Sequence, residues 1–172
     1  SISAAGPLID DFSDVDGLSA LGTPWRLISD RVMGGVSDGR MSLELVGGRR
    51  ALCLRGHVSL ENNGGFLQLA LDLSPAGTRD ASGYKGIRLS VRGNGEHYGL
   101  HLKTDDVRFP WQSYRQEFDT RKDWRDLRLP FSGFAPHRID VPLDVNRLRR
   151  LGLVAIGRAF AADLCVSEIG FY

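Results

Sequence analysis

The sequence predicts an all-β protein, an antiparallel β-sandwich, on three observations. Apolar and polar residues alternate with a period of two in short runs. Gly, Asn, Asp and Pro bound those runs, with 21 Gly and 7 Pro spread along 172 residues. Only one stretch, 144–150, reads as helical, a short helix capped by Asp144.

Taken in order, residues 1–7 are small and mixed in polarity and read as an N-terminal arm. From Leu8 to Tyr172 no linker, composition break or repeat divides the chain, so one domain is expected over 8–172. Strands are expected at 41–45 and 51–58. In 66–73 the side chains of Leu67, Leu69, Leu71 and Leu73 share one face, opposite Gln68, Ala70 and Asp72. Ile87, Leu89 and Val91 alternate with Arg88, Ser90 and Arg92, and Tyr98, Leu100 and Leu102 alternate with His97, His101 and Lys103. Gly93-Asn94-Gly95 between these two runs is expected to close a tight hairpin. Further strands are expected at 114–118, 126–129, 151–156 and 162–171. Trp25 and Trp124 are expected in the core, while Trp111 and Tyr114 are candidates for stacking on a sugar ring.

Composition excludes several function classes. A chain of this length buries roughly two-thirds of its unfolded surface without staples. The net charge of +1, from 22 basic and 21 acidic residues, produces no global field to draw nucleic acid. No apolar run approaches the ~20 residues of a spanning helix, so membrane insertion is not expected. Cys53 and Cys165, each in an apolar run, read as buried free thiols, and with the absence of an Asn-x-Ser/Thr sequon they point to a cytoplasmic location. A chain opening on Ser1 is also consistent with a removed leader.

Short catalytic motifs fail on context. Gly35-Val36-Ser37-Asp38-Gly39 fits the nucleophile-elbow pattern, but a strand rather than a helix follows it, which leaves a serine hydrolase using Ser37 as a distant alternative. His97 and His101, four apart on a strand, stand about 13 Å from each other, too far to share a metal. Gly93-Asn94-Gly95 lacks the third glycine and the helix of a dinucleotide loop. Asp10-Asp11 and Asp105-Asp106 lie by turns, where solvated capping is the ordinary role.

Two denser constellations stand out. The first holds Trp25, Asp30, Val32, Met33, Gly34, Gly35 and Ser37; the second holds Gly56, Val58, Ser59, Glu61, Asn62, Asn63, Gly64, Gly65 and Phe66. Together with Gly83-Tyr84-Lys85-Gly86-Ile87, Arg92-Gly93-Asn94-Gly95, Trp124 and Leu129-Pro130-Phe131-Ser132, they resemble the complex I intermediate-associated protein 30 family over nearly the whole chain. The sequence differs at Asn94, where the family commonly shows Asp. The resemblance implies a galactose-binding-like jelly roll, a fold shared with carbohydrate-binding modules, and an assembly chaperone rather than an enzyme.

The expected function is therefore non-catalytic binding, with a protein partner first and a glycan as the alternative. The loop cluster Asp30, Met33, Gly34, Gly35, Ser37, Glu61, Asn62, Asn63, Gly64 and Gly65 is one candidate site, its polar members meeting near a sheet edge. A basic sheet face carrying Arg88, Arg92, His101, Lys103, Gln116 and Arg128 together is the other. No catalytic residue, metal ligand or cofactor is assigned, although a structural calcium is a further candidate.

Overall fold

Alternation in the sequence resolves into strands in a computed structural model that describes residues 7–172. In chain order they are β1 Leu8–Asp10, β2 Trp25–Ser29, β3 Asp38–Val46, β4 Arg49–Val58, β5 Phe66–Asp72, β6 Gly86–Gly93, β7 His97–Thr104, β8 Ser113–Asp119, β9 Arg125–Pro130, β10 Ala135–His137, β11 Leu148–Ile156 and β12 Phe160–Phe171. The expected N-terminal arm, apart from Pro7, lies outside the described residues.

Two antiparallel sheets form a jelly-roll sandwich. The first has the order β3-β4-β12-β6-β9, with β1 also paired to β12; the second has the order β10-β8-β7-β11-β5-β2. Leu67, Leu69 and Leu71 of β5 point inward and are fully buried, as their alternation predicts, beside Tyr98, Leu100 and Leu102 of β7 and Leu151 and Leu153 of β11. The first sheet answers with Leu52, Leu54, Ile87, Leu89, Val91, Leu164, Val166, Ile169 and Phe171. Each such side chain taken from water contributes about 1.5–3 kcal/mol, the main drive closing one sheet on the other.

Several local expectations change because strand pairing is non-local. Gly93-Asn94-Gly95 is not a hairpin: β6 lies in the first sheet between β12 and β9, whereas β7 lies in the second between β11 and β8, so this segment carries the chain across the sandwich. Asn94 holds the crossing by donating to the Ala161 carbonyl (2.8 Å) and accepting from the Tyr98 hydroxyl (2.7 Å). The tight hairpin is instead Gly47-Gly48 between β3 and β4, where φ values of 52° and 80° suit glycine. The stretch 144–150 is one 3₁₀ turn, Val145–Arg147, whose cap is indeed Asp144; Leu148 then enters β11, where burial in the core outweighs local helix preference. The short strands β1, β2 and β10 carry too few residues for alternation to reveal them.

The cysteines are buried as expected but are not free. The β4–β12 register sets Cys53 directly opposite Cys165, with Cα atoms 4.1 Å apart, and the two form a disulfide across 112 residues of sequence. Both face outward from the first sheet, beneath Val46 and Trp124. Trp124 thus belongs to a half-buried satellite cluster, whereas Trp25 is in the main core. The disulfide removes the free thiols, one of the two grounds of the cytoplasmic expectation. No helix among the described residues is long and apolar enough to cross a membrane. Replacing both cysteines by Ala is expected to lower unfolding free energy by roughly 2–5 kcal/mol, since a long closed loop is released in the unfolded chain. Urea unfolding of the double variant, beside a non-reducing peptide map, checks this; two alkylatable thiols in the native protein would refute the pairing.

Candidate functional site

The first expected site is a structural junction. Ser29 caps the 3₁₀ turn Asp30–Met33, and this turn places the Asp30 carboxyl wholly inside the protein. There it accepts from the backbone N–H groups of Ser37 (3.0 Å), Gly65 (2.6 Å) and Phe66 (3.2 Å), and from the Ser37 hydroxyl. That hydroxyl oxygen in turn accepts from the Ser59 N–H (2.9 Å). The two constellations therefore meet, as the sequence suggests, around one carboxylate. Burial alone would raise its pKa; the bonds from Ser37, Gly65 and Phe66 outweigh burial and hold it below the ordinary 3.8.

The glycines follow from this packing. A Cβ on Gly35 would lie 2.5 Å from the Asp30 Cγ, and one on Gly64 would lie 2.5 Å from its Oδ2. Glu61, Asn62 and Asn63 do not join the buried network; they form an exposed 3₁₀ turn in which Asn62 and Asn63 take positive φ, and the Glu61 carboxylate accepts only from the Ser59 hydroxyl. Ser37 is fully buried, and its hydroxyl is bonded to Asp30 and Ser59, which gives it a place in the junction rather than at an accessible surface. Asp10, expected as a solvated cap, is also buried, accepting from the Trp25 indole (2.8 Å); burial is the leading cause that raises its pKa.

The expected basic face does not exist as one surface. Arg88, Arg92 and Arg128 lie on the outside of the first sheet, where Arg88 pairs with Glu168, Arg92 lies over Trp124 and Arg128 over Tyr172. His101 and Lys103 lie on the outside of the second sheet, on the other side of the molecule. Gln116 faces inward: its register partner is core Leu100, and its amide donates to the Pro130 carbonyl (3.0 Å). The outward residue beside His101 is Arg115. Alternation with buried Tyr114 and Phe118 already places Gln116 inside and Arg115 outside.

What the second sheet does carry is a groove of about 350 Å³ across its outer face, bordered by a smaller one of about 200 Å³ that shares His101, Arg115, Val154 and Ile156 with it. The register sets its floor: Arg150 lies beside Lys103, His101 beside Arg115, and Gln68 beside Val154. Gly99 and Gly152 keep that floor low, with the His101 ring lying over Gly99 and the Gln68 amide over Gly152. His101 is 8% exposed, yet neither it nor Gln68 has a side-chain hydrogen bond among the described residues. Burial first, then Arg115, His137 and Lys103, push the His101 imidazole down to about 3, so it is neutral at physiological pH.

The rim is apolar. On one side stand Val32 and Met33, 76% and 60% exposed, thrust outward by the turn that buries Asp30. On the other stands Trp111, 54% exposed and stacked on Phe109 with centroids 4.9 Å apart. Tyr114, the other candidate for sugar stacking, is instead core, donating to the Val141 carbonyl (2.7 Å). Met33 is thus the member of the expected loop cluster that reaches the groove. Phe109 and Trp111 lie in an aperiodic loop, and only their position around Pro110 hinted at exposure.

Asp30→Asn is expected to cost about 3 kcal/mol, because the amide cannot satisfy every donor aimed at the carboxylate. With a folded pKa below the ordinary value, this carboxylate's stabilisation is complete above pH 3.8 and is lost as pH falls through the folded value. Urea melts at stepped pH should show that acid slope in the wild type and lose it in D30N; equal stability at neutral pH would refute the assignment. For His101 the folded pKa is also depressed, so stability should decline as pH drops from 6.5 toward 3, where only the unfolded chain takes up the proton. An imidazole NMR signal that titrates between about pH 5 and 8 would contradict this.

Comparison with known proteins agrees with this architecture. A family 11 carbohydrate-binding module from Clostridium thermocellum, in complex with a β-1,3-1,4-mixed-linked tetrasaccharide, superposes with a TM-score of 0.73 at 14% identity, covering 97% of this chain and 95% of that one. The family 11 module of the cellulosomal cellulase Lic26A-Cel5E of the same organism has a TM-score of 0.72 at 15% identity, covering 96% and 93%. A family 30 module of its cellulosomal cellulase Cel9D-Cel44B has a TM-score of 0.55 at 16% identity, covering 78% and 91%. At these identities the likeness establishes the fold alone. None of the curated proteins compared matches in sequence. Residues 11–166, both constellations included, match the model of the Complex I intermediate-associated protein 30 family, and the chain belongs to that family.

Proposed function

We propose that this is a non-catalytic binding domain that holds a protein partner in the groove of the second sheet, in the service of assembling a multisubunit complex. The observation that carries the reading is the exposed apolar rim of Val32, Met33 and Trp111, the last stacked on exposed Phe109, around a polar floor. Met and aromatic residues are enriched in protein interfaces relative to the rest of a protein surface. The family name supplies the assembly context, with a respiratory complex as the first candidate.

Trp111→Ala and Met33→Asp are each expected to weaken partner capture by about tenfold while changing stability by no more than about 0.5 kcal/mol, as suits exposed positions. A photocrosslinker at position 109, followed by mass spectrometry, identifies the partner. Subunits or assembly intermediates of a respiratory complex support the reading; capture unchanged in both variants overturns it.

A second reading, glycan binding, is favoured by one specific observation. The parallel Phe109–Trp111 pair presents a flat aromatic surface at the edge of an open groove, and such rings stack on sugars as well as on side chains. The similar family 11 module was solved with a tetrasaccharide, and a disulfide-bonded sandwich suits an oxidising compartment. Retention of a mixed-linked β-glucan oligosaccharide with a shift of tryptophan fluorescence, abolished by Trp111→Ala, would select it.

A further inference from the structure

From the charge of the groove floor we infer that the partner segment is an acidic peptide bound in extended form, its carboxylates on Lys103 and Arg115 and an apolar side chain between Met33 and Trp111. This rests on the protein-partner reading above and names the chemistry of the partner.

Cations converge on this floor from several strands. Register places Arg150 of β11 directly beside Lys103 of β7, and Arg115 of β8 beside His101. Arg150 is compensated by Asp72, 3.0 Å away. Lys103 and Arg115 have no carboxylate partner among the described residues: the Lys103 ammonium donates to the Pro110 carbonyl (2.9 Å) and the Arg115 Nε to the Ser113 hydroxyl (2.8 Å). Most of the Arg115 fork therefore remains free for a bidentate contact. Arg138, just beyond β10, extends the same positive region past Arg115, whereas His137 of β10, its pKa lowered by burial first and then by Arg115 and Arg138, adds a neutral imidazole. Glu117, the outward carboxylate of β8 in the adjoining groove, is the nearest acidic group on that strand and pairs with neither cation.

Like charges held side by side on a sheet repel unless a ligand supplies the counter-charge. An anionic ligand is thus the complement of this floor, and two features favour a peptide over an acidic glycan. The rim opposite Trp111 is apolar, Val32 beside the adaptable thioether of Met33, which suits an apolar side chain better than a sugar ring. His101 and Gln68 lie flat along the floor with free polar atoms, able to meet the backbone N–H and C=O groups of a strand lying across the sheet.

Fluorescence anisotropy with a labelled peptide alternating Glu and Leu tests the inference, beside Gln-Leu and Lys-Leu counterparts. The Glu-Leu peptide is expected to bind the wild type at least about tenfold more tightly than the Gln-Leu peptide, with affinity falling as salt rises. The double variant K103Q/R115Q should lose that advantage, and K103E/R115E should prefer the Lys-Leu peptide; circular dichroism melts establish that both are folded. Equal binding of the Glu-Leu and Gln-Leu peptides, or an unchanged preference in K103Q/R115Q, overturns the inference. Binding of oligogalacturonate but not of the Glu-Leu peptide, dependent on Lys103 and Arg115, overturns it in favour of an acidic glycan. If Trp111→Ala abolishes partner capture while K103Q/R115Q leaves it intact, the protein-binding reading stands and only the acidic chemistry fails.

Discussion

One buried carboxylate organises this molecule. Asp30 sits where the chain leaves β2 of the second sheet for β3 of the first, and its acceptor oxygens also bind the segment by which the chain returns from β4 to β5. These two crossings between the layers are thereby tied at one point. An ionised carboxyl is costly to bury unless its lone pairs are filled; here backbone donors and one hydroxyl fill them, and the glycines on either side exist because nothing larger fits against it. A dense family motif thus finds its explanation in the architecture before any ligand is considered.

The junction has a by-product at the surface. Closing a tight turn over Asp30 leaves Val32 and Met33 nowhere to go but outward, and outward is the rim of the groove. The motif therefore divides into residues that build the crossing and residues that the crossing presents. On the opposite rim the Phe109–Trp111 pair has no core role, and the two sides frame a floor whose planar groups lie low because glycines stand beneath them. The binding proposed for this groove needs neither nucleophile nor metal; it needs a rigid sheet, and the packed core behind β7 and β11 supplies one.

Arg88 and His101 lie thirteen positions apart on runs that alternate in the same way, and a hairpin between them would have put both on one face. The crossing at Gly93-Asn94-Gly95 instead sends them to opposite sides of the sandwich. Gln116 was legible, since its parity with Tyr114 and Phe118 puts it inside, and Arg115 was legible for the same reason. Cys53 and Cys165 were legible as buried but not as bonded, because their meeting depends on a register between strands that are 112 residues apart.

By itself the sequence determined the class of fold, the position and face of the longer strands, the identity of the core leucines, and the membership of two motifs in one family. These follow from local rules, the two-residue period of the strand and the burial preference of apolar side chains, which every short run carries within it. Tertiary structure alone decided which strands became neighbours, which side of the sandwich each basic residue faced, whether the cysteines bonded, and that a groove lay across the second sheet. Those outcomes depend on pairing between distant segments, and a strand's alternation records which side is buried without recording what it is buried against.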